Sequence, residues 1–165
     1  MYISSILFVC HGNICRSPMA EFIMKKLATD RNMDGSIHIE SAAVSTEEIG
    51  NGIYPPARHC LHAHGIPFDS RKTARQVRDD DFDRFDLIVY MDRSNLRWLE
   101  VIFSSRIDKS TLNGTRAMAA KIRSMMSFAG ISRDVADPWY TDDFETTYQD
   151  ILTACSALLD SLLAD

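Results

Sequence analysis

The sequence is poor in the features that mark several functional classes. Its 18 Lys and Arg are outnumbered by 23 Asp and Glu, for a net charge of -5, so the chain has no overall basic field to hold a nucleic-acid backbone or an anionic membrane. Nucleic acid is not an expected partner. The longest apolar run near the start, Ile6-Leu7-Phe8-Val9-Cys10, is too short to cross a bilayer, and no basic residue precedes it as a secretory leader requires. No membrane span is expected, and a cytoplasmic location follows as the expectation. The four cysteines, at 10, 15, 60 and 155, include no C-x-x-C pair, which argues against a structural zinc site and a disulfide framework. Each is read as a reduced thiol. Glycine and proline are few, seven and five, and fall mostly between periodic segments; with no repeat or low-complexity linker, residues 1–165 read as one domain.

What is present alternates between two patterns. Ile6 to Val9 and Leu87-Ile88-Val89-Tyr90-Met91 are unbroken apolar runs, as in strands covered on both faces, and Ile37-His38-Ile39 is a weaker third. After the first run, Ser17-Pro18 with Met19, Phe22, Ile23 and Leu27 predicts a helix, with Ser17 placed to cap it. Pro55-Pro56 opens a second helix that runs toward His64 and stops at Gly65, Ser94 to Phe103 gives another, and an apolar stripe from Phe144 to Leu162 predicts a helix at the C-terminus. Residues 116–128 fit either an Ala/Met-rich helix or a strand near Ile122 to Phe128. Strands alternating with helices predict an α/β fold with a parallel sheet.

The chemistry concentrates in Cys10-His11-Gly12-Asn13-Ile14-Cys15-Arg16-Ser17-Pro18. A Cys followed six residues later by Arg is a weak signal alone. Here the Cys ends a buried strand and the Arg opens a helix, with Gly12 and Asn13 between them, the two residue types that best tolerate positive φ. Such a loop can curl its N–H groups inward at a helix N-terminus and bind an anion. The same positive environment favours the thiolate of Cys10, and Arg16 supplies a planar fork for two phosphate oxygens.

These residues resemble the phosphate-binding loop of the low-molecular-weight protein tyrosine phosphatases. The resemblance continues in the family's order through Ser41-Ala42-Ala43, His64-Gly65-Ile66, Ala74-Arg75-Gln76, Phe85-Asp86-Leu87-Ile88, Met91-Asp92, Ser94-Asn95-Leu96 and Asp137-Pro138. It implies a three-layer α/β fold: a four-stranded parallel sheet with flavodoxin-like winding, helices on both faces, and a fourth strand around Lys121 to Ser127. It further implies that Cys10 is the nucleophile, Arg16 the phosphoryl clamp, Ser17 a hydroxyl donor to the Cys10 sulfur, and Asp137 the general acid and then base. His11, Gly12, Asn13, Ile14 and Cys15 would cradle the phosphate, with Glu47 on the rim and Trp139 and Tyr140 walling an aryl slot. Asn13, Ser41 and a buried Asp92 would support the loop. The implied activity is hydrolysis of phosphotyrosine in a protein, or of an aryl phosphate, by a monomer that needs no metal or cofactor. Cys10 and Cys15 could close a disulfide on oxidation.

Four positions depart from the family's usual residues: His11, Glu47, Lys72 and Trp139. They bear on substrate preference and loop support. The alternative activity, a thiol-dependent arsenate reductase, needs two more thiols in a segment near residues 80–90, and no Cys lies between Cys60 and Cys155. Cys60 and Cys155 are expected in packing roles, Arg78-Asp79-Asp80-Asp81 as a solvated helix start, and His59, His62 and His64 as surface and cap residues without a Cys or carboxylate partner.

Overall fold

The computed structural model describes residues 2–164. Four strands, β1 (Ser5–Cys10), β2 (His38–Ala43), β3 (Leu87–Tyr90) and β4 (Ile122–Ser124), form one all-parallel sheet in the order β2-β1-β3-β4. The alternation of β1 explains its burial. Ile6, Phe8 and Cys10 face one apolar layer, and Leu7 and Val9 face the other. The first layer is built with α1 (Arg16–Asp30), α2 (Pro55–Ala63) and α7 (Phe144–Ala164). The second takes Leu99 from α4 (Arg93–Ile102), Phe85 behind α3 (Asp81–Arg84), and Met118 from α5 (Leu112–Lys121). The chain returns across β1 on its way from β2 to β3, so a crevice opens at the carboxyl ends of β1 and β3, where sheets of this winding bind ligands.

Several boundaries move for physical reasons. Strand β2 continues to Ala43 through Glu40 and Ser41, whose polarity hid it: Glu40 receives Arg75 at 2.9 Å and Ser41 receives Asn13 at 2.9 Å. Both readings of residues 116–128 hold in part, because α5 ends at Lys121, β4 is only three residues long, and a 3₁₀ turn follows over Met125–Ala129. Helix α1 begins at Arg16 with Cys15 at the N-cap position and no side-chain cap. Ser17 therefore does not cap it; its hydroxyl is engaged by the loop instead. The expectation of a solvated 78–81 segment also fails at Asp81, which is fully buried. Arg75 at 2.9 Å, Arg84 at 3.2 Å and the amide of Arg78 at 2.9 Å compensate its charge. Among the described residues, no helix is long and apolar enough to cross a membrane.

Candidate active site

The loop from Cys10 to Arg16 lies between the end of β1 and the start of α1. Asn13 takes the left-handed conformation, φ 59°, a state its short amide side chain tolerates. Gly12 does not share it. Its lack of a side chain serves close packing instead: a Cβ there would lie 3.2 Å from Glu48 Cγ. Asn13 N–H donates to Cys10 Sγ at 3.3 Å, while no protein acceptor among the described residues takes the amides of Gly12, Ile14 or Cys15. Those donors suit an anion held over the sulfur.

Behind the loop runs a buried polar chain. Asn13 Nδ2 donates to Ser17 Oγ at 2.7 Å and to Ser41 Oγ at 2.9 Å, using both of its amide hydrogens. Ser17 Oγ also lies 3.0 Å from Cys10 Sγ, a contact in which either atom can donate, and 3.4 Å from Ala42 O. Lys72 Nζ donates to Ser41 O at 3.0 Å and reaches Glu21 at 3.5 Å. Burial pulls the Lys72 amine below its ordinary pKa, against the opposing pull of Glu21.

Arg16 is 2% exposed, and its guanidinium makes three hydrogen bonds to protein acceptors. Its Nη1 donates to Asp92 Oδ2 at 2.8 Å and Val135 O at 2.9 Å, and its Nη2 to Asp137 Oδ2 at 3.2 Å. Burial opposes the charge on Arg16, but Cys10, Asp137 and Asp92 together raise its pKa and hold the guanidinium charged. Asp92 is half-buried rather than buried, and its other oxygen caps α4 by accepting Asn95 N–H at 2.8 Å. Asp137 likewise has two duties. Oδ1 accepts Trp139 N–H at 3.1 Å at the start of α6 (Pro138–Thr141), which leaves Oδ2 beside Arg16.

The cavity above the sulfur, about 140 Å³, is lined by Cys10, His11, Gly12, Ile14, Cys15, Arg16, Glu47, Glu48, Asp137, Trp139 and Tyr140. Asn13 is not in the lining, for its side chain turns inward to the support chain and only its backbone serves the sulfur. Glu48 is a lining residue that sequence reasoning missed; its carboxylate takes Asn51 Nδ2 at 2.7 Å, and its place beside Glu47 was the only available signal. On the rim, His11 Nε2 sits 3.1 Å from Glu47 Oε2, and the His11 ring meets Trp98 edge-on at 6.4 Å. On the opposite wall Tyr54 packs against Trp139, ring centroids 5.0 Å apart. Cys15 is 5% exposed, and burial, then Cys10 and Asp137, push its thiol above the ordinary range.

Cys155 is fully buried, as expected. The reading of His64 as lacking a Cys or carboxylate partner is corrected: its Nε2 lies 2.7 Å from Glu145 Oε2, and Cys60 adjoins the pair. The i, i+4 spacing of Cys60 on α2 and His64 at its C-cap was legible; the arrival of α7 was not.

Comparisons with known proteins agree with this geometry. The family profile described as low molecular weight phosphotyrosine protein phosphatase matches residues 5–165. The human protein of that name is 42% identical over 159 residues, 94% of each chain. The low molecular weight protein-tyrosine-phosphatase YfkJ of Bacillus subtilis is 39% identical over 160 residues, 96% of this chain and 95% of its own. The crystal structure of YfkJ superposes with a TM-score of 0.85, covering 98% of this chain and 96% of that one. The chain belongs to the low molecular weight phosphotyrosine protein phosphatase family, a family of phosphoric monoester hydrolases.

Proposed function

We propose that this chain hydrolyses phosphotyrosine through a phosphocysteine intermediate. The observation that carries the reading is the Cys10 sulfur, which lies 3.0 Å from Ser17 Oγ and receives Asn13 N–H at 3.3 Å at the floor of a cavity that also holds Arg16 and Asp137. With the Ser17 hydroxyl donating as the Asn13 amide does, the two stabilise a thiolate, the form that attacks phosphorus. The loop amides and the Arg16 fork bind the equatorial phosphoryl oxygens, where negative charge sits in the transition state. Arg16 exchanges its contact with Asp137 Oδ2 for a phosphate oxygen as substrate enters. Asp137 Oδ2, freed at the mouth, carries the proton to the departing phenolate oxygen. As the phosphocysteine breaks down, Asp137 takes a proton from water, the water oxygen bonds to phosphorus, and the sulfur leaves as thiolate under the Ser17 hydrogen bond. Trp139 and Tyr140 offer the aryl ring an apolar wall.

Arsenate reduction has less support, since of the two further thiols it needs at least one would have to be Cys60 on α2 or the fully buried Cys155. Metal-free turnover of p-nitrophenyl phosphate and of a phosphotyrosine peptide, run beside thiol-coupled arsenate reduction, separates the two. Cys10→Ser abolishes phosphatase turnover while phosphate or vanadate binding survives, because the amides and Arg16 remain. Activity above a few per cent in Cys10→Ser would sink the covalent route.

A further inference from the structure

We propose that Cys60, His64 and Glu145 form a binding site for a thiophilic divalent metal of the zinc class, clasping α2 to the start of α7. None of the three lines the phosphate cavity. Cys60 on α2 and His64, the C-cap residue of that helix, are four residues apart and joined by the His64 N–H to Cys60 O bond at 3.2 Å, so they share a face. Glu145, the second residue of α7, meets that face when the two helices pack on the same layer of the core. One ligand atom from each residue lies within 4.8 Å of the other two.

The spacing is close to what the metal needs. Tetrahedral zinc, with bonds of about 2.0–2.3 Å, holds its ligand atoms about 3.3–3.7 Å apart. His64 Nε2 and Glu145 Oε2 are 2.7 Å apart, and Cys60 Sγ is 4.0 Å from the same oxygen, so small side-chain adjustments open one gap and close the other. Supporting contacts are already in place. Gln149 Nε2 donates to Glu145 Oε1 at 3.0 Å, and the His64 ring stacks on Tyr148 with centroids 3.7 Å apart and planes 10° from parallel. Contacts of this kind orient metal ligands. The side chains of His64 and Glu145 are 28% and 60% exposed, leaving the fourth position open to water.

Coordination balances simply. Cys60 now donates its S–H toward Phe144 O at 3.6 Å; the metal replaces that proton, which passes to solvent, and the S–metal bond forms without redox change. His64 binds as neutral imidazole through Nε2, with its proton on Nδ1. Thiolate and carboxylate together neutralise the dication, and the thiolate–imidazole pair selects zinc or cobalt over magnesium or calcium. Without metal the cluster is an exposed His–Glu pair and a weak S–H contact, which stabilise little.

The test is titration of chelator-treated Cys10→Ser protein with Co²⁺ and then Zn²⁺, the substitution removing the thiol that would compete. One equivalent of Co²⁺ gives a near-ultraviolet thiolate-to-cobalt absorption, which Zn²⁺ displaces. Cys60→Ser abolishes that absorption, and His64→Gln and Glu145→Gln each weaken binding by about tenfold or more. Zn²⁺ at about a hundred times its dissociation constant raises Tm by about 5 °C or more, and not in Cys60→Ser. Metal-free melts of the variants confirm that they fold. The proposal is overturned if no absorption appears at one equivalent, if it survives Cys60→Ser, or if Zn²⁺ leaves Tm unmoved.

Discussion

His11 and Glu47, 36 residues apart, meet at the rim of the phosphate cavity with Nε2 and Oε2 at 3.1 Å. The family resemblance marked both as departures, and the fold makes them partners. His11 turns toward Glu47 and places its ring edge against Trp98, so one side of the cavity mouth carries a carboxylate held in place rather than an aromatic face. An aryl substrate loses stacking worth roughly 0.5–1.5 kcal/mol on that side. A phosphopeptide with acidic flanking residues meets repulsion on the order of 1 kcal/mol before salt screening. Wild type should prefer basic-flanked phosphotyrosine peptides, and the preference should shrink in Glu47→Tyr and in high salt. The measurement is kcat/KM for both peptides, at two ionic strengths; a ratio constant across all four conditions places Glu47 outside recognition.

As the proposed general acid, Asp137 should matter most for poor leaving groups. A phenolate of high pKa needs its proton in the transition state, whereas a nitrophenolate does not. Asp137→Asn keeps the Trp139 cap through its amide oxygen but cannot deliver the proton. It should therefore lose about tenfold or more rate on phosphotyrosine than on p-nitrophenyl phosphate. Equal losses on the two substrates would show that another group is the acid.

Lys72 supports the loop at a distance, through Ser41 and Asn13. Lys72→Met removes the donor to Ser41 O and leaves the carboxylate of Glu21, 3% exposed, with only Lys25 at 3.5 Å. Destabilisation of about 3 kcal/mol is expected, with a fall in kcat larger than any change in KM, since Lys72 does not line the cavity. Adding Glu21→Gln should recover much of the stability in denaturant melts and little of the kcat. Full recovery of kcat in the double variant would assign Lys72 a purely structural role.

Cys15 carries a thiol pushed up by burial, then by Cys10 and Asp137, so it is protonated at neutral pH. Below a raised pKa the thiolate fraction grows about tenfold per pH unit, and closure of a disulfide onto peroxide-oxidised Cys10 should accelerate likewise between about pH 7 and 9. Oxidation of Cys10 removes part of the repulsion, while burial stays. After brief peroxide and then dithiothreitol, wild type should recover activity and Cys15→Ser should not. A closure rate flat in pH would contradict the role of this thiol as the attacking group.

The legible part of this protein was local. Strand β1, the start of α1 and the loop joining them are contiguous in the chain, so hydrophobic run, turn-tolerant residues and Cys-to-Arg spacing were readable without knowing what packs where. Even there the division of labour was hidden: only Asn13 needs positive φ, whereas Gly12 needs room beside Glu48. Asp137 was indistinguishable from other carboxylates until the family resemblance marked it, because its partner Arg16 is 121 residues away. Asp81 looked solvated because its own segment is acidic; its partners Arg75, Arg78 and Arg84 lie within six residues along the chain, and it is the burial of Asp81 that only the fold decides. His64 is the C-cap residue of α2, as its place before Gly65 suggested, but its pairing with Glu145 waited on α7. Periodicity and loop chemistry are properties of neighbours along the chain, and they determined the α/β class and the anion loop. Which charges are buried in company and which side chains share a rim depend on contacts between distant segments, and only the tertiary structure decided those.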